Sequence, residues 1–314
     1  MTAIENIEQQ KKLDNDLIQL HKKFCEFCFL EKAYSENTIQ CYQYTLNTLL
    51  RFFQLKNVQE ITEGVLRNFF IKGIKERNWT NSAILHHRKN LSPFLNWCVK
   101  NQYIQENPFK NIEKPKMEGK IPEFYTDDEI EKLMYHVHET PYQSEFLRKR
   151  NYALLALFLM TGLRKSELLG LKMTDINFEE KRMIVRAKNS KSRRDRIIPL
   201  SQRLIDILSD YLWERNKMDK TSLSLFVSFN RDMGFTKDGL KHLLDKLQKE
   251  TGIHIHAHKF RHTFATKSLE SNINLNTVKE LLGHKDIKTT AIYLHTTVQH
   301  LREEMEKNKI NCMI

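Results

Sequence analysis

The chain has 314 residues and carries 51 Lys plus Arg against 39 Asp plus Glu, a formal net charge of +12. That length allows two domains with a core each, and basic residues spread over both halves favour a polyanionic partner over an acidic or neutral one. The longest apolar run, Tyr152 to Met160, falls far short of the ~20 residues of a bilayer span, and the opening Met1-Thr2-Ala3-Ile4-Glu5-Asn6 has neither a basic region nor an apolar stretch of a signal peptide. No membrane association is expected, and the cytoplasm is the expected location.

Five Cys, an odd number at scattered positions, make no disulfide framework and suit a reducing compartment. Cys25 and Cys28 form the one CxxC pair; they share an apolar helical face with Leu20, Phe24 and Phe27, which points to packing and away from metal.

From about Leu13 to Val99 the chain reads almost wholly as amphipathic helices. Ser35 is a good N-cap for a helix with Ile39, Tyr42, Leu46, Leu49 and Phe53 at spacings of three and four. A second helix follows Thr62 with Val65, Phe69, Phe70 and Ile74. A third follows Thr80 with Ile84, Leu85, Leu91, Phe94, Leu95 and Val99, and Pro93 is placed to kink it. A small helical bundle is expected over 1–107. Lys72, Lys75, Arg77, Arg88 and Lys89, with His86, His87 and Asn90, are expected on its exposed faces, where they could meet phosphates and groove edges. On these residues alone a merely solvated face is the preferred account of them. Residues 108–122 lose the periodicity: Pro108, Pro115, Gly119 and Pro122 punctuate Lys110, Lys114, Lys116 and Lys120, which reads as a basic linker.

A second domain is expected over 123–314. Thr126-Asp127-Asp128-Glu129 opens a helix with a capped, acidic first turn. The buried helix through Tyr152–Met160 runs into Thr161-Gly162-Leu163-Arg164-Lys165-Ser166-Glu167-Leu168. Gly162 ends that helix, Arg164 starts the next, and Glu167 stands one turn on, placed to hold the guanidinium. Residues 182–188 and 196–200 read as a β-hairpin around a turn rich in Asn, Ser and charge, and residues 204–211 and 240–247 as helical. His258 and Arg261, three apart, share a helix face and suit an anion. Gly283 can end a helix just before His284. Tyr293 follows nine residues later on a separate element, and a charged helix is expected after Leu301.

Any one of these residues is most simply structural, but together they match a pattern. His258-Lys259-Phe260-Arg261-His262-Thr263, then Leu281-Leu282-Gly283-His284, then Tyr293 resemble the C-terminal signature of the tyrosine recombinases, the phage integrase and Xer family. The run Thr161 to Leu168, followed by Leu171 and Asp175-Ile176, is similar to the family's upstream arginine motif. Ser35-Glu36-Asn37-Thr38-Ile39 with Tyr42 resembles the opening of its N-terminal core-binding domain.

The resemblance implies a mainly α fold with a small β-sheet: an N-terminal helical, SAM-like core-binding domain and an α+β catalytic domain. It implies a site-specific recombinase that cuts and rejoins double-stranded DNA through a 3′-phosphotyrosyl link, with no metal, ATP or other cofactor. A homotetramer on paired sites, or a heterotetramer with a related recombinase, is the expected assembly. Tyr293 would be the nucleophile, Arg164 and Arg261 the clamp on the phosphoryl oxygens, His258 and His284 donors around the phosphate, and Glu167 a support. The catalytic lysine is Lys188 counting from Asp175, or Lys191 counting back from Pro199; Lys188 is preferred. Lys191, Arg193 and Arg194 would then extend towards the DNA backbone, as would Arg88 and Lys89 from the first domain.

Cutting a phosphodiester without metal needs a nucleophile, cations on the non-bridging oxygens and an acid for the leaving oxygen, and each has a candidate here. His254, His256 and His258 alternate as a metal site can, but His258 belongs to the HxxR pattern and such alternation is common on extended segments. Two other classes stay open. A type IB topoisomerase would share the chemistry and relax supercoils without exchange, and a non-catalytic DNA-binding protein would lack Tyr293 or an arginine.

Overall fold

The computed structural model describes residues 16–116, 122–187, 194–284, 286 and 288–293. The chain divides into two units, Met1–Gly119 and Lys120–Ile314.

Among the described residues, four α-helices build the first unit: α1 (Leu17–Leu30), α2 (Glu36–Phe52), α3 (Glu63–Arg77) and α4 (Asn81–Lys100). Each starts where a short polar side chain takes up orphan backbone donors. Asp16 accepts from the N–H groups of Ile18 and Gln19, both at 3.0 Å, and Ser35, Thr62 and Thr80 cap the next three. The apolar stripes converge as their spacing predicts: Leu20, Phe24, Leu46, Leu49, Phe69, Phe94 and Leu95 are buried together. Ile74, expected on the same stripe, is exposed, and Pro93 lies within α4 without ending it.

Three polar residues expected at the surface of this unit are used inside it. His87 is buried with its ring stacked on Trp79 at a centroid distance of 4.1 Å. Asn90 is buried and donates to Thr45 Oγ1 at 3.0 Å. Arg88 lies over the Phe109 ring and donates to the carbonyls of Phe109, at 3.0 Å, and of Ile112 and Glu113. Its guanidinium thus ties down the first residues of the stretch read as linker. Phe109 and Ile112, three apart, complete the core; the Pro and Lys around them masked that apolar pair. Lys75, Arg77 and Lys89 are exposed as expected.

The second unit holds α5 (Asp127–Glu139), α6 (Glu145–Thr161), α7 (Lys165–Leu169), strands β1 (Ile176–Asn177), β2 (Arg182–Val185) and β3 (Arg196–Pro199), then α8 (Gln202–Asn216), α9 (Lys237–Thr251), α10 (Ala257–Glu270), α11 (Leu275–Leu282) and α12 (Lys288–Ala291). Thr126 and Glu129 close a reciprocal capping box at the start of α5. The second half of helix α6 is apolar from Tyr152 to Met160, and the helix packs against α5, α8 and α10; Leu154, Leu155, Leu157 and Phe158 are fully buried.

The sheet is antiparallel in the order β1-β2-β3, with Met183 opposite Ile198 and Val185 opposite Arg196. Met183, Val185 and Ile198 face the core. Strand β2 ends at Val185, earlier than the pattern predicts, because the Arg186 guanidinium turns to Asp175 (2.8 Å) and the Ala187 N–H to the Asp195 carboxylate (2.7 Å). Lys188, Lys191 and Arg193, and the helix expected after Leu301, lie outside the described residues. Among the described residues no helix is long and apolar enough to cross a membrane.

Candidate active site

Gly162 stops α6 in the left-handed region at φ +61, donating to the Phe158 carbonyl at 3.0 Å. A side chain is excluded there twice over, since a Cβ would lie 2.5 Å from Phe264 and 2.8 Å from Leu282. The turn delivers Arg164 to the N-cap of α7. Glu167, one turn on, is 0% exposed. Its carboxylate accepts from the Arg164 backbone N–H (2.9 Å) and guanidinium (2.7 Å), and from two nitrogens of Arg196 (2.8 and 3.1 Å). Burial alone would raise this carboxyl, but hydrogen bonds and charge from Arg196, and then Arg164, outweigh it and hold the group down to about 2.

Arg196 is a site residue that motif reading missed. The signal was there in principle: opposite the inward-facing Val185, Arg196 is a cation on the buried side of a strand. Such a charge needs a partner.

The last carbonyls of α11 are the second organiser. Leu282 accepts from Arg261 at 2.7 Å and from Arg164 at 3.4 Å, and Leu281 accepts from Arg196 Nε at 2.8 Å. Arg261 also donates to the Gly162 carbonyl at 2.8 Å. Three guanidiniums therefore converge on the negative end of one helix, with the Glu167 carboxylate shared by two of them. The surplus of positive charge is what an anionic ligand requires. Burial, and then the Arg164 charge, lower the Arg261 guanidinium to about 9, which leaves it cationic at neutral pH.

Helix α10 starts with His256 as N-cap, its Nδ1 accepting the Lys259 N–H at 3.2 Å. His258 lies in the first turn and is exposed; Arg261 follows one turn later and is buried. His284 is half-buried just past Gly283, with Nδ1 2.8 Å from Thr290 Oγ1. Burial, then Arg261, Arg164 and Arg196, lower its imidazole to about 4. Tyr293 is 3% exposed, and its hydroxyl lies 2.8 Å from His262 Nδ1. Burial raises the phenol while Arg261 and Arg164 pull the other way. Arg164, Glu167, Arg261, His284 and Tyr293 thus share one neighbourhood, joined by Arg196, His262 and Thr290, which the motifs did not single out. Arg194 is exposed beside the hairpin, and Lys89 is exposed on the other unit.

The alternating histidines gain a neighbour that sequence alone did not supply. Donor atoms of Glu123, His254 and His256 lie within 4.8 Å of one another, a spacing at which three ligands can gather round a cation. His256 Nδ1 is engaged as the α10 cap. A cation held by these three would have to use Nε2 of that ring or displace the cap.

Residues 123–300 match the phage integrase family, and residues 17–105 match the phage integrase N-terminal SAM-like domain. Tyrosine recombinase XerC of Listeria innocua serovar 6a is 29% identical over 299 residues, covering 92% of this chain and 97% of its own length. Tyrosine recombinase XerC of Oceanobacillus iheyensis is 31% identical over 295 residues, covering 91% and 94%. Among solved structures, the Tn1549 transposon integrase in complex with a circular intermediate DNA has a TM-score of 0.74 at 20% identity, over 93% of this chain and 99% of that one. The XerH site-specific recombinase bound to its palindromic difH substrate has a TM-score of 0.73 at 24% identity, over 92% and 84%. At these identities the two structures speak for the fold.

Proposed function

The chain belongs to the phage integrase family and is a tyrosine-type site-specific DNA recombinase, and from that premise we propose how its residues divide the chemistry. Tyr293 attacks the scissile phosphate, forming a 3′-phosphotyrosyl link that stores the bond energy until a second strand displaces it. Arg164 and Arg261 neutralise the non-bridging oxygens, and they are pre-set for it because Glu167 and the α11 carbonyls already fix their forks. Arg196 serves indirectly by sharing Glu167. His258 and His284 donate to the same phosphate, and Lys188, or failing it Lys191, protonates the leaving 5′ oxygen.

The observation that carries this reading is the convergence of three guanidiniums at the end of α11 beside a buried tyrosine hydroxyl. Plain DNA binding is not favoured, since both arginines, His284 and Tyr293 are present together, and strand relaxation is not favoured, since the relatives matched over nearly their whole length are tyrosine recombinases.

Double-stranded DNA is the partner. XerH and the Tn1549 integrase are described in complexes with DNA, and a charge of +12 supports the same partner here. The first unit acts as the core-binding domain. A basic linker joins it to the catalytic unit, and four subunits assemble on paired sites in the cytoplasm.

The test is covalent capture on a nicked suicide duplex. Tyr293→Phe should bind the duplex and fold as before but form no adduct; an adduct on the Phe protein would hand the role to another tyrosine.

A further inference from the structure

Tyr293 is tied to a histidine that has no part in the mechanism above. Its Oη lies 2.8 Å from His262 Nδ1, with the ring centroids 5.6 Å apart. The helix beneath His262 is held on both sides. Arg261, the residue before it, is buried and donates to the carbonyls of Gly162 and Leu282, and Thr263, the residue after it, is buried and accepts the Tyr125 N–H at 2.8 Å. The imidazole is therefore a fixed reference against which the phenol is oriented.

On the reading of Tyr293 as nucleophile, we propose that His262 is a catalytic residue: the acceptor that orients the Tyr293 hydroxyl before attack and takes its proton during it. As Oη bonds to phosphorus, the O–H electron pair stays on the oxygen and the proton moves to His262 Nδ1. The bond from phosphorus to the 5′ oxygen breaks, and that oxygen takes a proton from the general-acid lysine. In rejoining, a 5′ hydroxyl attacks the phosphotyrosine, its proton returns to the lysine, and the His262 imidazolium gives its proton back to the departing phenolate. Atoms and charge balance in both directions.

The surroundings suit an acceptor. Burial, then His258, His256 and Arg261, lower the imidazole to about 4, so it is neutral at physiological pH, and the tautomer protonated at Nε2 presents the Nδ1 lone pair to the Tyr293 hydroxyl. His284 and Tyr293 face it from the segment after α11, and the buried phenol is held protonated and able to donate. A base so depressed would be weak in the empty site. The scissile phosphate, however, brings a negative charge among the same cations, cancels part of their field and raises the proton affinity of His262 when it is needed.

The experiment measures single-turnover adduct formation on a nicked duplex from about pH 6 to 9, with duplex affinity and thermal melting in parallel. His262→Leu should cleave roughly 10²- to 10⁴-fold more slowly, with duplex affinity unchanged. His262→Asn offers Oδ1 near the place of Nδ1 but cannot hold the proton. It should recover part of the rate, and that rate should climb with pH where the unmodified protein is flat. Unaltered rates and profiles in both variants overturn the proposal, as do losses of rate matched by losses of affinity and melting temperature. If the Leu protein does not fold, the Asn profile alone decides. An adduct on Tyr293→Phe removes the nucleophile reading and this role with it, whereas an inactive Phe protein beside fully active His262 variants removes only the role of His262.

Discussion

Glu167 is the residue on which the site's charge balance turns. A fully buried carboxylate shared by Arg164 and Arg196 would be costly to orphan; removing one partner of a buried ionic group costs about 3–5 kcal/mol, because the remaining charges lose their compensation. Glu167→Ala should show a loss of that order in denaturant unfolding. The pH dependence follows from the direction in which the carboxyl is moved. In the folded protein it is held down to about 2 against an ordinary 4.5, so its contribution is fully present above pH ~4.5 and disappears as pH falls through about 2. Each tenfold change in proton affinity corresponds to about 1.4 kcal/mol, which makes the contribution roughly 3 kcal/mol. Glu167→Gln should flatten that part of the acid limb, and an unchanged limb would mean that the charge is not what the arginines require. Arg164, Arg261, His284 and Tyr293 are legible in the sequence because their spacing is a motif. Arg196 is not, and His262, though it stands inside the signature, shows no role there, since what distinguishes each is a partner far along the chain: Glu167 for one and Tyr293 for the other.

Elements are most legible where a local signal decides them. Ser35, Thr62, Thr80 and Thr126 each cap the helix expected after them, and the apolar run of α6 is buried from Ala153 to Phe158. Sequence is a poorer guide where a side chain crosses to another element. Arg88 reads as a surface residue because its carbonyl partners lie beyond α4, and β2 ends early because Arg186 has a partner in Asp175. The turn between α6 and α7 is the place where element geometry becomes chemistry. Gly162→Ala forces a side chain into the left-handed region and against Phe264 and Leu282. Strain of that kind costs about 1–3 kcal/mol, and the displaced turn carries Arg164 with it. The expected result is a lower melting temperature together with cleavage slower by about 10²-fold, the scale of a 1 Å misplacement. A variant that melts lower but cleaves normally would show that Arg164 is positioned by Glu167 alone.

At the scale of the whole molecule, the net charge of +12 favours contacts with DNA phosphates, but it does not say which cations make them. Structure separates them by what each cation already touches. Arg88 is spent on backbone carbonyls and on the Phe109 ring within the first unit, whereas Lys89 beside it and Arg194 in the second unit are exposed. Each phosphate contact releases about one counterion, so log K falls with log salt at a slope near −0.9 per contact. Lys89→Gln and Arg194→Gln should each make that slope shallower by about one and weaken binding uniformly across DNA sequences. Arg88→Gln should leave the slope unchanged and instead lower the melting temperature, because Phe109 and Ile112 lose the donor that holds their carbonyls. Duplex binding titrated over a range of salt, with melting curves on the same proteins, gives both readouts. A shallower slope for Arg88→Gln with no loss of stability would return that guanidinium to the DNA-facing surface that its sequence pattern predicts.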